Sequence, residues 1–244
     1  MAKKPYQRPY IDILLPYKEV FTPSNAGAVS TVVSDLTYHT TLEYEFHIYG
    51  RQITSPSFPK LCYHALKPKW PLIYGHNLGL AHSYITELER RERQPSLIEV
   101  HGRCKLASTI AKITNTAKVA LFLHNDPRRM TGSKTLAERL WLARNLAGIF
   151  ANSNYIKNCF LDGFRNAEIS QTPIFITPLG ANRNLKNRPS KEKTIIIASR
   201  IVPEKGILQA AIALRDILPD FPEWRVKIIG AKHFRDGTIS DYEK

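Results

Sequence analysis

Between residues 11 and 229 short apolar runs alternate with stretches whose apolar residues recur at helical spacing, and this alternation admits few folds. Residues 11–15 (IDILL) suit a buried strand; Val29, Val32, Val33 and Leu36 then recur at i, i+3, i+4 and i+7, one face of a helix. The same patterns predict strands over 44–49, 96–101, 119–124, 148–151 and 174–177. They predict helices around Leu78, Ala81, Ile85 and Leu88, and over 105–113, 134–146 and 155–164. Strands separated by helices need long crossovers, so they pair in parallel and carry helices on both faces.

The expected fold is therefore α/β, with a Rossmann-like parallel sheet over residues 1–180. A polar, proline-containing stretch at 181–193 is expected as a linker. A second strand–helix–strand unit follows, with strands over 194–198 and 225–229 and a helix near 206–218. It is expected as the first part of an incomplete second Rossmann-like domain over 194–244.

Lys and Arg total 35 against 21 Asp and Glu, a formal net charge of +14, so an anionic partner is expected. The basic residues fall in small groups, Arg90/Arg91/Arg93, Arg128/Arg129 and Arg183/Lys186/Arg188, without a recognition-helix or RNP-like pattern. Nucleic acid is accordingly not the expected partner, whereas phosphorylated substrates or anionic lipid headgroups fit. Cys62, Cys104 and Cys159 lie far apart with no C-x-x-C pair, which predicts neither a metal site nor a redox centre and suits the cytoplasm. No run approaches the ~20 apolar residues that cross a bilayer.

In open parallel sheets, ligands bind beyond the carboxyl ends of the strands. The sequence sends unusual polar groups there: Asn25, Ala26 and Gly27 after the first strand, then His101-Gly102-Arg103, His124-Asn125-Asp126, Asn152-Ser153-Asn154 and Pro178-Leu179-Gly180. The SNAGAVS loop offers backbone N–H groups at a helix start to an anion or a hydroxyl, although neither G-x-G-x-x-G nor a P-loop occurs. His124 is a candidate functional histidine, while His101, beside a glycine, suits a structural role. In ASRIVPEKG (198–206), Arg200 and Lys205 flank a strand-to-helix loop. A diphosphate there would meet a guanidinium fork, an ammonium point charge and a helix N-terminus. The competing reading pairs either cation with Glu204, worth ~0–1 kcal/mol at a surface.

These residues carry a resemblance. ASRIVPEKG resembles the arginine-to-lysine signature of family 4 glycosyltransferases (glycosyltransferases group 1), enzymes of the GT-B fold. SNAGAVSTVVSDL resembles their glycine loop, LIEVHGR and LFLHNDPRRM their strand-end histidine motifs, and GIFANSNYIKNCFLDGF with IFITPLGAN their last N-domain elements. The resemblance covers nearly the whole chain and lies nearest to bacterial enzymes of lipopolysaccharide-core and surface-glycan biosynthesis.

The resemblance implies transfer of a hexosyl-type sugar from a nucleotide-sugar, with retained anomeric configuration and no metal or cofactor beyond the donor. His124, Arg200 and Lys205 take the catalytic positions; Asn25, Ala26, Gly27, His101, Asn125, Asp126, Ser153 and Gly180 take the substrate-binding ones. The implied acceptor is an anionic glycan or glycolipid, reached by peripheral contact at the cytoplasmic face of the inner membrane. The family's C-terminal domain continues further and carries paired glutamates spaced E-x7-E. No two glutamates here stand eight apart, so the chain is expected to be C-terminally truncated and to turn over donor poorly. The alternative is an inactive remnant serving as an anion- or nucleic-acid-binding module. A dinucleotide-dependent oxidoreductase is disfavoured by the missing glycine fingerprint.

Overall fold

The computed structural model describes residues 8–114, 117–180 and 190–231. The chain divides into two compact units, Met1–Asn182 and Arg183–Lys244, a boundary inside the expected linker. Residues 181–189 of that linker, with Arg183, Lys186 and Arg188, lie outside the described residues, as do 232–244.

The first unit is built on strands β1 (Tyr10–Leu14), β2 (Glu45–Arg51), β3 (Cys62–Leu66), β4 (Leu97–His101), β5 (Val119–Leu123), β6 (Gly148–Ala151) and β7 (Ile174–Ile176). They form one sheet in the order β3-β2-β1-β4-β5-β6-β7, and every neighbouring pair is parallel. Its helices are α1 (Ala28–His39), α2 (Pro71–Glu89), α3 (Cys104–Ile113), α4 (Leu136–Asn145), α5 (Asn154–Leu161) and α6 (Asn166–Gln171). Neither β3 nor α6 is predicted by the periodicity. β3 (CYHAL) is a half-exposed edge strand with no apolar alternation, and α6 spans six residues, none buried.

Strand β1, wholly buried between β2 and β4, divides two hydrophobic clusters. Ile11, Ile13 and Leu15 pack with Phe21, Ile48 and Val33 of α1 on one face. Leu14 joins Tyr84 of α2, Ile110 of α3, Leu142 of α4 and Phe160 of α5 on the other. This is the two-sided cover that a parallel sheet requires. On the Leu14 face, the Oδ2 of the fully buried Asp12 accepts from Tyr84 Oη at 2.7 Å and Arg91 Nη1 at 2.9 Å. Arg91 also donates to the Tyr49 hydroxyl, so an otherwise costly buried carboxylate is held by two donors. Helix α4 begins with a reciprocal cap, Glu138 N to Thr135 Oγ1 and Thr135 N to Glu138 Oε2, as T-x-x-E dictates.

Register places His101 beside Phe122, Phe122 beside Phe150 and Phe150 beside Phe175. Their rings stack in series across β4 to β7, with centroids 4.5, 4.5 and 5.4 Å apart.

The second unit contains β8 (Thr194–Ala198), α7 (Ile207–Ile217) and β9 (Arg225–Ile229), with β8 and β9 parallel and Thr194 opposite Arg225. The observed elements match the expected strand–helix–strand order. Among the described residues, no helix is long and apolar enough to cross a membrane.

Candidate functional site

Because all seven strands run the same way, the loops that leave their carboxyl ends share one rim of the first unit. Strand β4 ends in His101, fully buried, and β5 is followed by His124. The two rings touch: His101 Nδ1 lies 3.1 Å from His124 Nε2. His101 Nε2 is buried without a hydrogen-bond partner and faces Glu99 Oε2 at 3.8 Å. That carboxylate favours the proton on His101 Nε2, which makes His101 Nδ1 the acceptor and His124 Nε2 the donor. His101, expected to be structural, is thus the direct partner of the candidate histidine.

Burial, then the neighbouring His101, pushes the His124 imidazole down to about 4. At neutral pH it is uncharged, so it can hydrogen-bond but cannot supply a cation. A depressed imidazole in the folded chain means that the unfolded chain takes the proton first, so stability falls with pH below about 6.5 and stops falling near pH 4. From pH 7 to pH 5 His124 is expected to account for about 2 kcal/mol of lost stability. Urea unfolding at both pH values checks this, and a His124→Asn chain that loses just as much would refute the assignment.

The remaining rim residues are largely engaged with their own backbone. Gly27 is the N-cap residue of α1, and Glu19 Oε2 accepts from Ser30 N at 3.0 Å, so the chain's own carboxylate already occupies part of this helix start. A β-carbon on Gly27 would meet that carboxylate, the end of a flexible side chain that can move aside. Asn25 is exposed, with its Nδ2 3.4 Å from Ser24 Oγ, and Ala26 is half-buried beside it. Asp126 accepts from Arg128 N, Nε and Nη2, and that guanidinium draws its carboxyl below the usual range. The neighbouring Asn125 is exposed. Ser153 Oγ accepts from Ile156 N and caps α5, and Asn152 Nδ2 donates to the His124 carbonyl at 3.2 Å. Gly180 and Leu179 border a cavity of about 380 Å³ against Leu36 and His39 of α1.

A larger rim cavity, about 430 Å³, was not anticipated as a unit. Arg103 and Lys105 line it from the start of α3, Arg129 from the loop after β5, and His76 and Asn77 from α2. Helix α2 breaks at Gly75 (φ 73°), so its regular part restarts at His76. Asn77 Oδ1 accepts from Tyr17 N at 2.9 Å and ties that start to the loop after β1. Two segments distant in sequence, the start of α3 and the loop after β5, supply the cations, and no local motif announces such a convergence.

In the second unit, β8 leads into a single 3-10 turn, Pro203–Lys205, and Gly206, with φ 66°, opens α7. Arg200 and Lys205 are both exposed. Arg200 Nη2 lies 3.7 Å from Glu204 Oε1, with side chains 55% and 64% exposed, so the expected surface pair forms but is weak.

No protein-family model matches the chain. YtcC of Bacillus subtilis (strain 168), provisionally named a glycosyltransferase, is 25% identical over 233 residues, which cover 88% of this chain. The matched segment spans 55% of that relative's length. Among solved structures, a trehalose-6-phosphate synthase is similar over 96% of this chain and 67% of its own, with TM-score 0.65 and 12% identity. The Anabaena protein HepE in complex with UDP-glucose is similar over 93% and 62%, with TM-score 0.62 and 15% identity. The α/β architecture with its parallel sheet is therefore one shared with these proteins.

Proposed function

We propose that the chain is part of a GT-B glycosyltransferase of the family 4 type, which moves a sugar from a nucleotide-sugar to a glycan or glycolipid acceptor with retained configuration. The observation that carries this reading is the likeness over 93% of the chain to a protein solved with UDP-glucose, joined to the match with YtcC. The basic rim cavity supports an anionic acceptor on the first unit, because Arg103, Lys105 and Arg129 converge where a phosphate or acidic sugar would be held. Surface-glycan or lipopolysaccharide assembly at the cytoplasmic face of the inner membrane would supply such an acceptor.

In this reading, Arg200 and Lys205 grip the donor diphosphate. As the bond from the anomeric carbon to the diphosphate oxygen breaks, its electron pair leaves with the diphosphate, where the two cations meet the charge. An acceptor hydroxyl oxygen forms the new bond to that carbon on the same face, and its proton passes to the departing diphosphate. Uncharged His124, whose Nε2 is committed to His101, would turn Nδ1 toward the transferred sugar.

The test is thermal unfolding of the chain with nucleoside diphosphates. Binding to the folded state raises stability by RT ln(1 + [L]/Kd), about 2.7 kcal/mol at a hundredfold excess over Kd. UDP or another nucleoside diphosphate is expected to raise Tm in a saturable way. No shift at millimolar diphosphate, with steeply salt-dependent binding to DNA of any sequence, would overturn the proposal in favour of a nucleic-acid-binding module.

A further inference from the structure

At the opposite end of the strands from the rim, three side chains with nitrogen and sulfur donors converge on the edge of the sheet. His47 of β2 stands directly opposite Cys62 of β3, and His64 follows Cys62 by two residues, so the pleat turns all three to one face. His47 Nδ1 and His64 Nε2 are 3.1 Å apart, and Cys62 Sγ is 3.2 Å from His64 Nε2 and 4.0 Å from His47 Nδ1. These are the atoms that could ligate one ion, and all lie within 4.8 Å of one another. From this geometry we infer that His47, Cys62 and His64 form a zinc site that clamps edge strand β3 to β2.

The distances suit the ion. Zinc at about 2.0–2.1 Å from nitrogen and about 2.3 Å from sulfur, in tetrahedral geometry, sets N···N near 3.3 Å and N···S near 3.6 Å. The observed N···N distance lies within a few tenths of an ångström of that value, and the two N···S distances straddle theirs. Water completes the fourth position, since Cys62 is exposed and a shallow cavity of about 440 Å³ opens over His47 and His64. The histidine rings are already oriented: they stack 4° from parallel, and His64 stacks on Tyr49 at 4.7 Å. Glu45 Oε2, 4.0 Å from His47 Nε2, is the outer carboxylate that steadies such a ligand.

A two-histidine, one-thiolate set favours zinc over magnesium or calcium, which take oxygen donors. The His64 Nε2 offers its lone pair to the ion when the ring proton sits on Nδ1. On binding, the Cys62 S–H bond breaks, the proton passes to solvent, the sulfur pair enters the zinc bond, and no electron is transferred.

The experiment is titration of the reduced, metal-free full chain with zinc against a chromophoric chelator, and with cobalt as a spectroscopic substitute. One equivalent is expected to bind, and the cobalt form is expected to show an intense near-ultraviolet thiolate-to-metal band. Loss of an outer-sphere partner already costs 10–100-fold in affinity, so Cys62→Ser or His64→Gln should cost more than about 100-fold and Cys62→Ser should abolish the band. Both variants change side chains at an exposed edge, and urea unfolding confirms that they fold. Absence of the band in the native chain, or zinc affinity unchanged by Cys62→Ser, overturns the assignment.

Discussion

Arg200→Ala is expected to weaken nucleoside-diphosphate binding by about 10–100-fold, the equivalent of the ~1.5–3 kcal/mol that a hydrogen bond to a charged group contributes. The expectation follows from the loop itself. Val202 N is 3.1 Å from the Arg200 carbonyl, Lys205 N is 3.0 Å from that of Val202, and Gly206 N is 3.1 Å from that of Pro203. The backbone around both cations is thus fixed before any ligand arrives, and the exposed guanidinium spends little on its 3.7 Å contact with Glu204. Arg200→Lys should recover only part of the loss, because an ammonium cannot make the bidentate contact. Glu204→Gln removes the competing carboxylate and should leave binding unchanged or slightly tighter. Calorimetric titration with UDP ranks the four chains, and equal affinity of the native and Arg200→Ala chains would remove Arg200 from the site.

Gly132→Ala is expected to destabilise the first unit by about 3 kcal/mol. Gly132 has φ 90°, and a β-carbon there would lie 2.5 Å from Lys105 N and 2.7 Å from Lys105 Cα. Backbone cannot yield as a flexible side-chain tip can, so left-handed strain and overpacking act together. The collision falls where Lys105 N donates to the Thr131 carbonyl at 3.2 Å, a contact that joins two walls of the basic cavity. Urea unfolding measures the loss. Gly180→Ala is the control, since nothing lies within 4 Å of a β-carbon there, and comparable destabilisation by both changes would contradict the packing argument.

The order of strands and helices was legible because each buried run is bounded by a helix with a clear apolar face. Even the second unit follows, since 194–198 is a continuous apolar or β-branched run and 225–229 alternates basic residues with Val226 and Ile228. Elements defined by neither core nor period were not. β3 sets cysteine, tyrosine and histidine in succession at a half-exposed edge, and α6 buries nothing. The rim loops were legible from strand direction alone, which put His124, Asn152 and Ser153 together. Their contacts were not, because His101 and His124 are separated by 23 residues and meet only through register. The engagement of Ser30 N by Glu19, and the grouping of Arg103, Lys105 and Arg129, likewise depend on how separate loops fold back.

The row of rings from His101 to Phe175 draws its members from four segments that approach one another only after three helical crossovers have closed. No hairpin or local fragment can assemble it, so mutual ring-current shifts of these protons in a refolding time course would mark completion of this half of the sheet. The same row makes register self-correcting: sliding any one strand by a single residue would point its ring at the opposite layer and break the series.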